Sequence, residues 1–251
     1  MTQLDLKAID EVFAKHERIA FHFSGGRDST AALYAMRPYW GRMRIYHLDT
    51  GDQFPETAQV VAAVERDVGR LARVLSDVHQ VRQAFGFASD LVPVDNQDGL
   101  GNAVSGRDIK IISRYECCAR TLMLPMHQQM LNDGVTLVVR GQRDAEFSTP
   151  LARSGYRDAN YELLFPIQDW SDAEVMAYLK QHQLPLAPYY DAGMKQAPEC
   201  MGCTAWWGEG RMSYLKHNHP SQYVRSVHRM SQVKAEIDRQ YKTMEIIEGE
   251  V

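Results

Sequence analysis

Cysteine is scarce in this 251-residue chain: there are four, and none after Cys203. Nothing in that number suggests the dense disulfide framework of a small secreted domain. No apolar run approaches the length of a membrane span, and charges interrupt the N-terminal "MTQLDLKAIDEVFAKHERIAF" too often for a secretory signal. A soluble, cytoplasmic protein with no membrane partner is expected. There is no internal repeat and no low-complexity tract. A net charge of −4 argues against whole-surface affinity for nucleic acid. Hydrophobic residues make up 45% of the chain, enough for one substantial core and a small appended region.

Two familiar nucleotide motifs are also missing. "FHFSGGRDSTAAL", residues 21–33, has neither the lysine of the G-x-x-x-x-G-K-[ST] loop nor the third glycine of the dinucleotide fingerprint. It does place a serine and two glycines between a strand-like and a helix-like run. Glycines there let backbone approach a ligand, and the following helix aims its free N–H groups and positive dipole end at the same spot. The expected occupant is an anion. Ser24 and Ser29 add hydroxyls, and Asp28 either caps the helix or helps hold a metal ion.

Strands are expected at "RIAFHF", "MRIYHL" and "VTLVVRGQR", the last with a polar tip from Arg140 to Arg143. Residues 56–75 carry Val60, Val61, Val64, Val68 and Leu71 at helical spacing. Residues 90–108 are rich in Gly, Asp and Asn and read as an exposed loop. "YECCARTLMLPMHQQML" reads as a helix interrupted at Pro125, and Ser171 with Glu174 as a capping box. Alternating strands and helices predict a doubly wound, mostly parallel α/β sheet with a helical, loop-rich C-terminal third. Residues 1–165 are expected to form the nucleotide domain, with 166–251 packed on it.

The cysteines fall as adjacent Cys117 and Cys118, then Cys200-x-x-Cys203. In a cytoplasmic protein this points to metal or redox use: an iron–sulfur cluster, zinc, or free thiols. Between Arg211 and Lys242 stand seven Lys/Arg against two Asp/Glu, with three His. That stretch is either a solvated helix face or a basic face for nucleic acid. Trp206 and Trp207 either stack a base or pack.

"SGGRDS" resembles the S-G-G-x-D-S signature of the PP-loop ATP pyrophosphatases. "HLDTGDQFPET", residues 47–57, is similar to the D-T-G-x-x-F-P-E-T segment of their PAPS/APS reductase branch. "RGQRDAEFS" and "PIQDWSDAEVMAYLKQHQLPLAPYYDAG" resemble later segments of that branch, in its order. The resemblance implies an adenine nucleotide alpha hydrolase-like fold. It implies that Ser24, Gly25, Gly26, Arg27, Asp28 and Ser29 hold nucleotide phosphates, and that Asp49, Thr50 and Gly51 lie near the adenosine. Gly141 and Arg143 would recognise the adenylyl group, with Asp28 and Arg143 catalytic. The C-C and C-x-x-C pattern is similar to that of iron–sulfur members, implying that Cys117, Cys118, Cys200 and Cys203 bind one [4Fe–4S] cluster. Arg120 or the basic C-terminal residues would offset its charge, and Arg153 is a further candidate anion contact.

One departure from the branch stands out. Its reductases attack the sulfonucleotide with a cysteine near the C-terminus, in an E-C-G-L-H segment absent here. Two activities follow from the resemblance. The first is ATP- and Mg²⁺-dependent adenylation serving sulfur transfer to a nucleic acid or small molecule, with a sulfur-donor protein and a possible homo-oligomer. The alternative is an APS/PAPS-binding protein that uses an external thiol or does not turn over.

Overall fold

The computed structural model describes residues 4–249, apart from 94, 95, 97, 98, 107, 108, 159, 197, 198 and 206–209. Along the chain run α1 (Leu6–Phe13), β1 (Ile19–His22), α2 (Arg27–Ala35), β2 (Met43–Asp49), α3 (Pro55–Val68) and β3 (Ala72–Leu75). Next come α4 (Val78–Phe85), β4 (Phe87–Ser89), α5 (Gly99–Ser105), β5 (Ile111–Ser113), α6 (Arg114–Cys118) and α7 (Leu124–Asn132). The chain finishes with β6 (Leu137–Arg140), β7 (Glu162–Leu164), α8 (Asp172–Gln181), α9 (Arg211–Asn218) and α10 (Pro220–Gly249). These elements belong to two compact units built from interleaved segments. One comprises Met1–Asp49, Phe54–Leu75 and Pro125–Tyr190; the other comprises Thr50–Gln53, Ser76–Leu124 and Asp191–Val251.

The first unit is built on a five-stranded sheet of order β3-β2-β1-β6-β7, every pair parallel. Parallel sheets are covered on both faces, and the central strands read accordingly as unbroken apolar runs. Ala20 and Phe21 on β1 and Leu137, Val138 and Val139 on β6 are fully buried. The expected doubly wound α/β architecture is the one observed. At α8 the Ser171 amide donates to Glu174 Oε2 at 2.8 Å and the Glu174 amide to Ser171 Oγ at 3.3 Å, the reciprocal capping box the sequence predicts.

Three expectations need correction. The helical period of residues 56–75 ends early: α3 stops at Gly69, with φ of +94°, and Ala72–Leu75 form β3 instead. Residues 90–108 contain the short α5, a seven-residue helix whose Leu100 and Val104 are exposed. The interruption near Pro125 is a π-helical turn, Ala119–Met123, just ahead of Pro125 in the first turn of α7, a residue with no N–H to give back to the preceding turn. In the second unit β4 and β5 form a separate parallel pair.

Candidate functional site

The loop after β1 is shaped by close approach. Gly25 has φ of +84°, and a Cβ there would stand 2.8 Å from the Thr57 methyl and 3.0 Å from a Val61 methyl. The Gly26 amide donates to Ser24 Oγ at 3.2 Å, and the Ser24 and Ser29 hydroxyls lie 2.9 Å apart. Ser29 and Thr30 hydroxyls both donate to the Gly26 carbonyl, at 3.0 and 2.9 Å. These bonds leave Gly26 as the N-cap of α2, with no side chain of its own to cap the helix end. The first-turn N–H groups, which have no partner within a helix, and the dipole together form an anion cradle. Tyr190 borders it, its hydroxyl accepting from the Arg27 amide at 3.1 Å. The sequence motif does not point to Tyr190, which lies far along the chain.

Asp28 turns away from the helix end toward arginine. Its Oδ1 accepts from Arg143 Nε at 2.8 Å, and its Oδ2 is 3.5 Å from Arg27 Nε. Arg143 is 1% exposed and fully engaged: it also donates to the Trp170 carbonyl at 3.1 Å and to Asp172 Oδ1 at 2.7 Å. Arg27 reaches the same Asp172 oxygen at 2.7 Å. Asp172 thus bridges two guanidiniums, a role its position in the capping-box motif does not announce. Gly141 lets the tip of β6 press on α2, since a Cβ there would come within 2.6 Å of the Asp28 carbonyl oxygen. Asp49 ends β2 within this unit. Arg153 is two-thirds exposed and pairs with Asp144 at 2.9 Å.

In the second unit, Cys117, Cys118, Cys200 and Cys203 line one pocket with Arg82, Arg114 and Thr121. Burial pushes all four thiols above their ordinary pKa, Cys118 to about 12, while Arg82 and Arg211 pull Cys203 back toward the thiolate. Arg211 is 2% exposed and donates to the Met201, Cys203 and Ala205 carbonyls at 3.3, 2.7 and 3.1 Å. Among the described residues its buried Nε has no partner. Among the described residues no group of three or more His, Cys, Asp or Glu is placed to hold a metal ion. A single tetrahedral zinc would draw thiolates to about 2.3 Å from one point. The four thiols share this pocket with Arg82 and Arg114, and the Arg211 guanidinium stands beside Cys203. Arg120 does not line this pocket; it pairs with Glu116 at 2.7 Å and stacks 3.8 Å over the Phe85 ring.

Asp52, a variable position of the "DTGDQFPET" motif, fastens the Cys-x-x-Cys loop. Its Oδ2 accepts from the Gly202 amide at 3.0 Å and from Arg82 Nη1 at 2.7 Å, and its carbonyl accepts from the Met201 amide at 2.6 Å. Thr50 adds a bond from its hydroxyl to the Glu199 carbonyl at 3.2 Å. Asp52 and Arg82 are 10% and 8% exposed, so this pair is largely desolvated. Asp52→Asn keeps an acceptor for Gly202 but leaves Arg82 uncompensated. We expect a loss of about 2 kcal/mol in urea unfolding and faster hydrogen exchange at Gly202. Unchanged exchange there would contradict this role.

The basic C-terminal stretch is divided: Arg211 is interior, while Arg239 pairs with Glu236 and Lys234 with Asp238 on α10 itself. Trp206 and Trp207 lie outside the described residues.

Residues 18–227 match the family model described as the phosphoadenosine phosphosulfate reductase domain. The adenosine 5'-phosphosulfate reductase of Allochromatium vinosum is 23% identical over 218 residues, covering 81% of this chain and 79% of that protein. The crystal structure of phosphoadenylyl-sulfate (PAPS) reductase from Candida auris, a phosphate complex, matches with a TM-score of 0.56 at 15% identity, over 81% of this chain and 88% of that one. At that identity the likeness concerns the fold. No helix among the described residues is long and apolar enough to cross a membrane.

Proposed function

Because the chain belongs to the phosphoadenosine phosphosulfate reductase family, we propose that it is an enzyme acting on an adenylyl sulfate nucleotide, APS or PAPS, with a [4Fe–4S] cluster on Cys117, Cys118, Cys200 and Cys203. The observation that carries the nucleotide reading is the N-terminal end of α2, bordered by Ser24, Gly25, Gly26 and Ser29, where the N-cap glycine offers no side chain and Tyr190 takes the Arg27 amide. The shared pocket of the four thiols and the partnerless buried Nε of Arg211 support the cluster. When bound, such a cluster supplies a redox-capable centre held by four thiolates. Arg82 and Arg211 offset negative charge around those sulfurs, and Asp52 holds the loop that carries two of them.

Reduction of the sulfonucleotide needs a thiolate to attack its sulfur: a sulfur–sulfur bond forms, the bond from sulfur to the phosphate oxygen breaks, and the nucleotide leaves, as AMP from APS or as adenosine 3',5'-bisphosphate from PAPS. A second thiol then displaces sulfite, leaving a disulfide. The 251 residues contain no cysteine beyond the four of the pocket, so both thiols come from an external dithiol. A second reading is favoured by that same count together with the "SGGRDS" loop: adenylation by ATP with Mg²⁺, serving sulfur transfer from a donor protein to a nucleic acid or small-molecule acceptor.

Product analysis separates the two. Cluster-loaded protein with a dithiol is expected to give sulfite together with AMP from APS or adenosine 3',5'-bisphosphate from PAPS, and none of these without the dithiol. Pyrophosphate and AMP from ATP, with no sulfite from either sulfonucleotide, would replace the first reading by the second.

A further inference from the structure

The order β3-β2-β1-β6-β7 reverses between β1 and β6: the chain leaves β1 toward β2 and later returns on its other side. In open α/β sheets the crevice beyond the carboxyl ends of the strands at such a reversal is where ligands bind. The last residues of these two strands are His22 and Arg140, and they are register partners. Register partners in a parallel pair point to the same face. Gly141, the next residue, faces the first turn of α2, so Arg140 and His22 face the opposite side of the sheet from that contact.

Among the described residues, Arg140 Nε and His22 Nε2 are both buried with no hydrogen-bond partner, although each residue as a whole is only half-buried. The Arg140 side chain forms no ion pair or hydrogen bond among the described residues. The contrast with Arg143, three residues on and bonded to Asp28, Asp172 and Trp170, is sharp. The ionisable neighbour of Arg140 is Tyr161, whose hydroxyl meets His127 Nδ1 at 3.0 Å and which burial keeps neutral. Asp158 lies near His127 and is held by the Asn160 and Tyr161 amides. No carboxylate among the described residues therefore answers the guanidinium, and a partly desolvated cation without a counter-charge is costly to keep.

We propose that His22 and Arg140 form a second oxyanion subsite, across the sheet from the phosphate loop, for the anionic substrate group that the loop does not hold. The guanidinium fork supplies paired donors suited to a sulfate, phosphate or carboxylate, and His22 supplies a third donor from Nε2. That this anion belongs to the nucleotide substrate rests on the function proposed above; that an oxyanion binds here does not.

Histidine ring ¹H–¹⁵N spectra of the whole chain test the subsite, with His22 assigned by His22→Gln. Sodium sulfate, inorganic phosphate and sodium acetate are titrated separately, with chloride controlling ionic strength. At least one oxyanion is expected to move the His22 ring signals saturably, and Arg140→Gln to weaken that binding at least about ten-fold. Gly26→Val, which crowds the phosphate loop, is expected to leave the His22 response intact. If Arg140→Gln does not fold, Arg140→Lys, which keeps the charge but not the fork, is read instead and is expected to bind several-fold more weakly. No saturable shift in the wild type, an unchanged affinity in the Arg140 variant, or loss of the shift in Gly26→Val would overturn the proposal. Sulfonucleotide turnover is measured separately, so its failure leaves this result standing or falling by itself.

Discussion

Alanine at position 141 is expected to abolish nucleotide binding. The added Cβ would stand 2.6 Å from the Asp28 carbonyl oxygen, 2.7 Å from the Asp28 carbonyl carbon and 2.7 Å from the Ser29 Cα. All three are backbone atoms, so no rotamer change relieves the contact, and the first turn of α2 or the tip of β6 must move. Overpacking of this kind costs about 3 kcal/mol. The larger effect is on the cradle, whose N–H groups belong to the turn being displaced. Calorimetric titration with AMP and urea unfolding of the same variant measure the two effects. Wild-type AMP affinity in Gly141→Ala would show that the turn is not the nucleotide seat.

Removing the Arg143 guanidinium by Arg143→Met is expected to destabilise the protein by about 3–5 kcal/mol, since it strips a buried cation from two carboxylates and a carbonyl. Asp172 is well exposed and is rehydrated cheaply, so most of the loss arises at Asp28 and the Trp170 carbonyl. The clamp also has a pH signature. Burial would raise the Asp172 pKa, but its bond to Arg143 and the charges of Arg27 and Arg143 outweigh this and hold the carboxyl below its ordinary value. A depressed carboxylate contributes stability above its unfolded pKa, about 3.9, and loses that contribution as pH falls through the folded value. Urea midpoints followed downward from pH 6 should therefore fall more steeply in the wild type than in Arg143→Met. Parallel curves would remove the clamp from the account.

What could be read from the chain alone was what its neighbours in sequence decide. The Ser24–Ser29 loop, the Ser171–Glu174 box and the apolar runs of β1 and β6 each rest on a few consecutive residues, and all three stand where expected. Strand β3 was hidden because Val68 and Leu71 continue the period of α3 while Gly69 ends the helix between them. The roles of Tyr190, Asp172, Asp52 and Arg82 were illegible because each acts on a partner distant in sequence. Asp52, for instance, meets Gly202, and Tyr190 meets Arg27. Nor did the apolar run "RIAFHF" reveal that its histidine lies beside an unpaired arginine from another strand; register across a parallel sheet is set by long crossovers rather than by local pattern.

The interleaving of the two units has a consequence for how the chain is made. Cys117 and Cys118 belong to a unit whose remaining thiols, Cys200 and Cys203, come only after the segment Pro125–Tyr190 of the other unit. A ribosome adding roughly 5–20 residues per second needs roughly 4–16 seconds to cover that separation of about eighty residues. For that interval the first pair waits on a nascent chain with no partner pair in existence, adjacent to each other and open to oxidants. Through that interval the first pair stays as thiols only where the surroundings of the nascent chain are reducing.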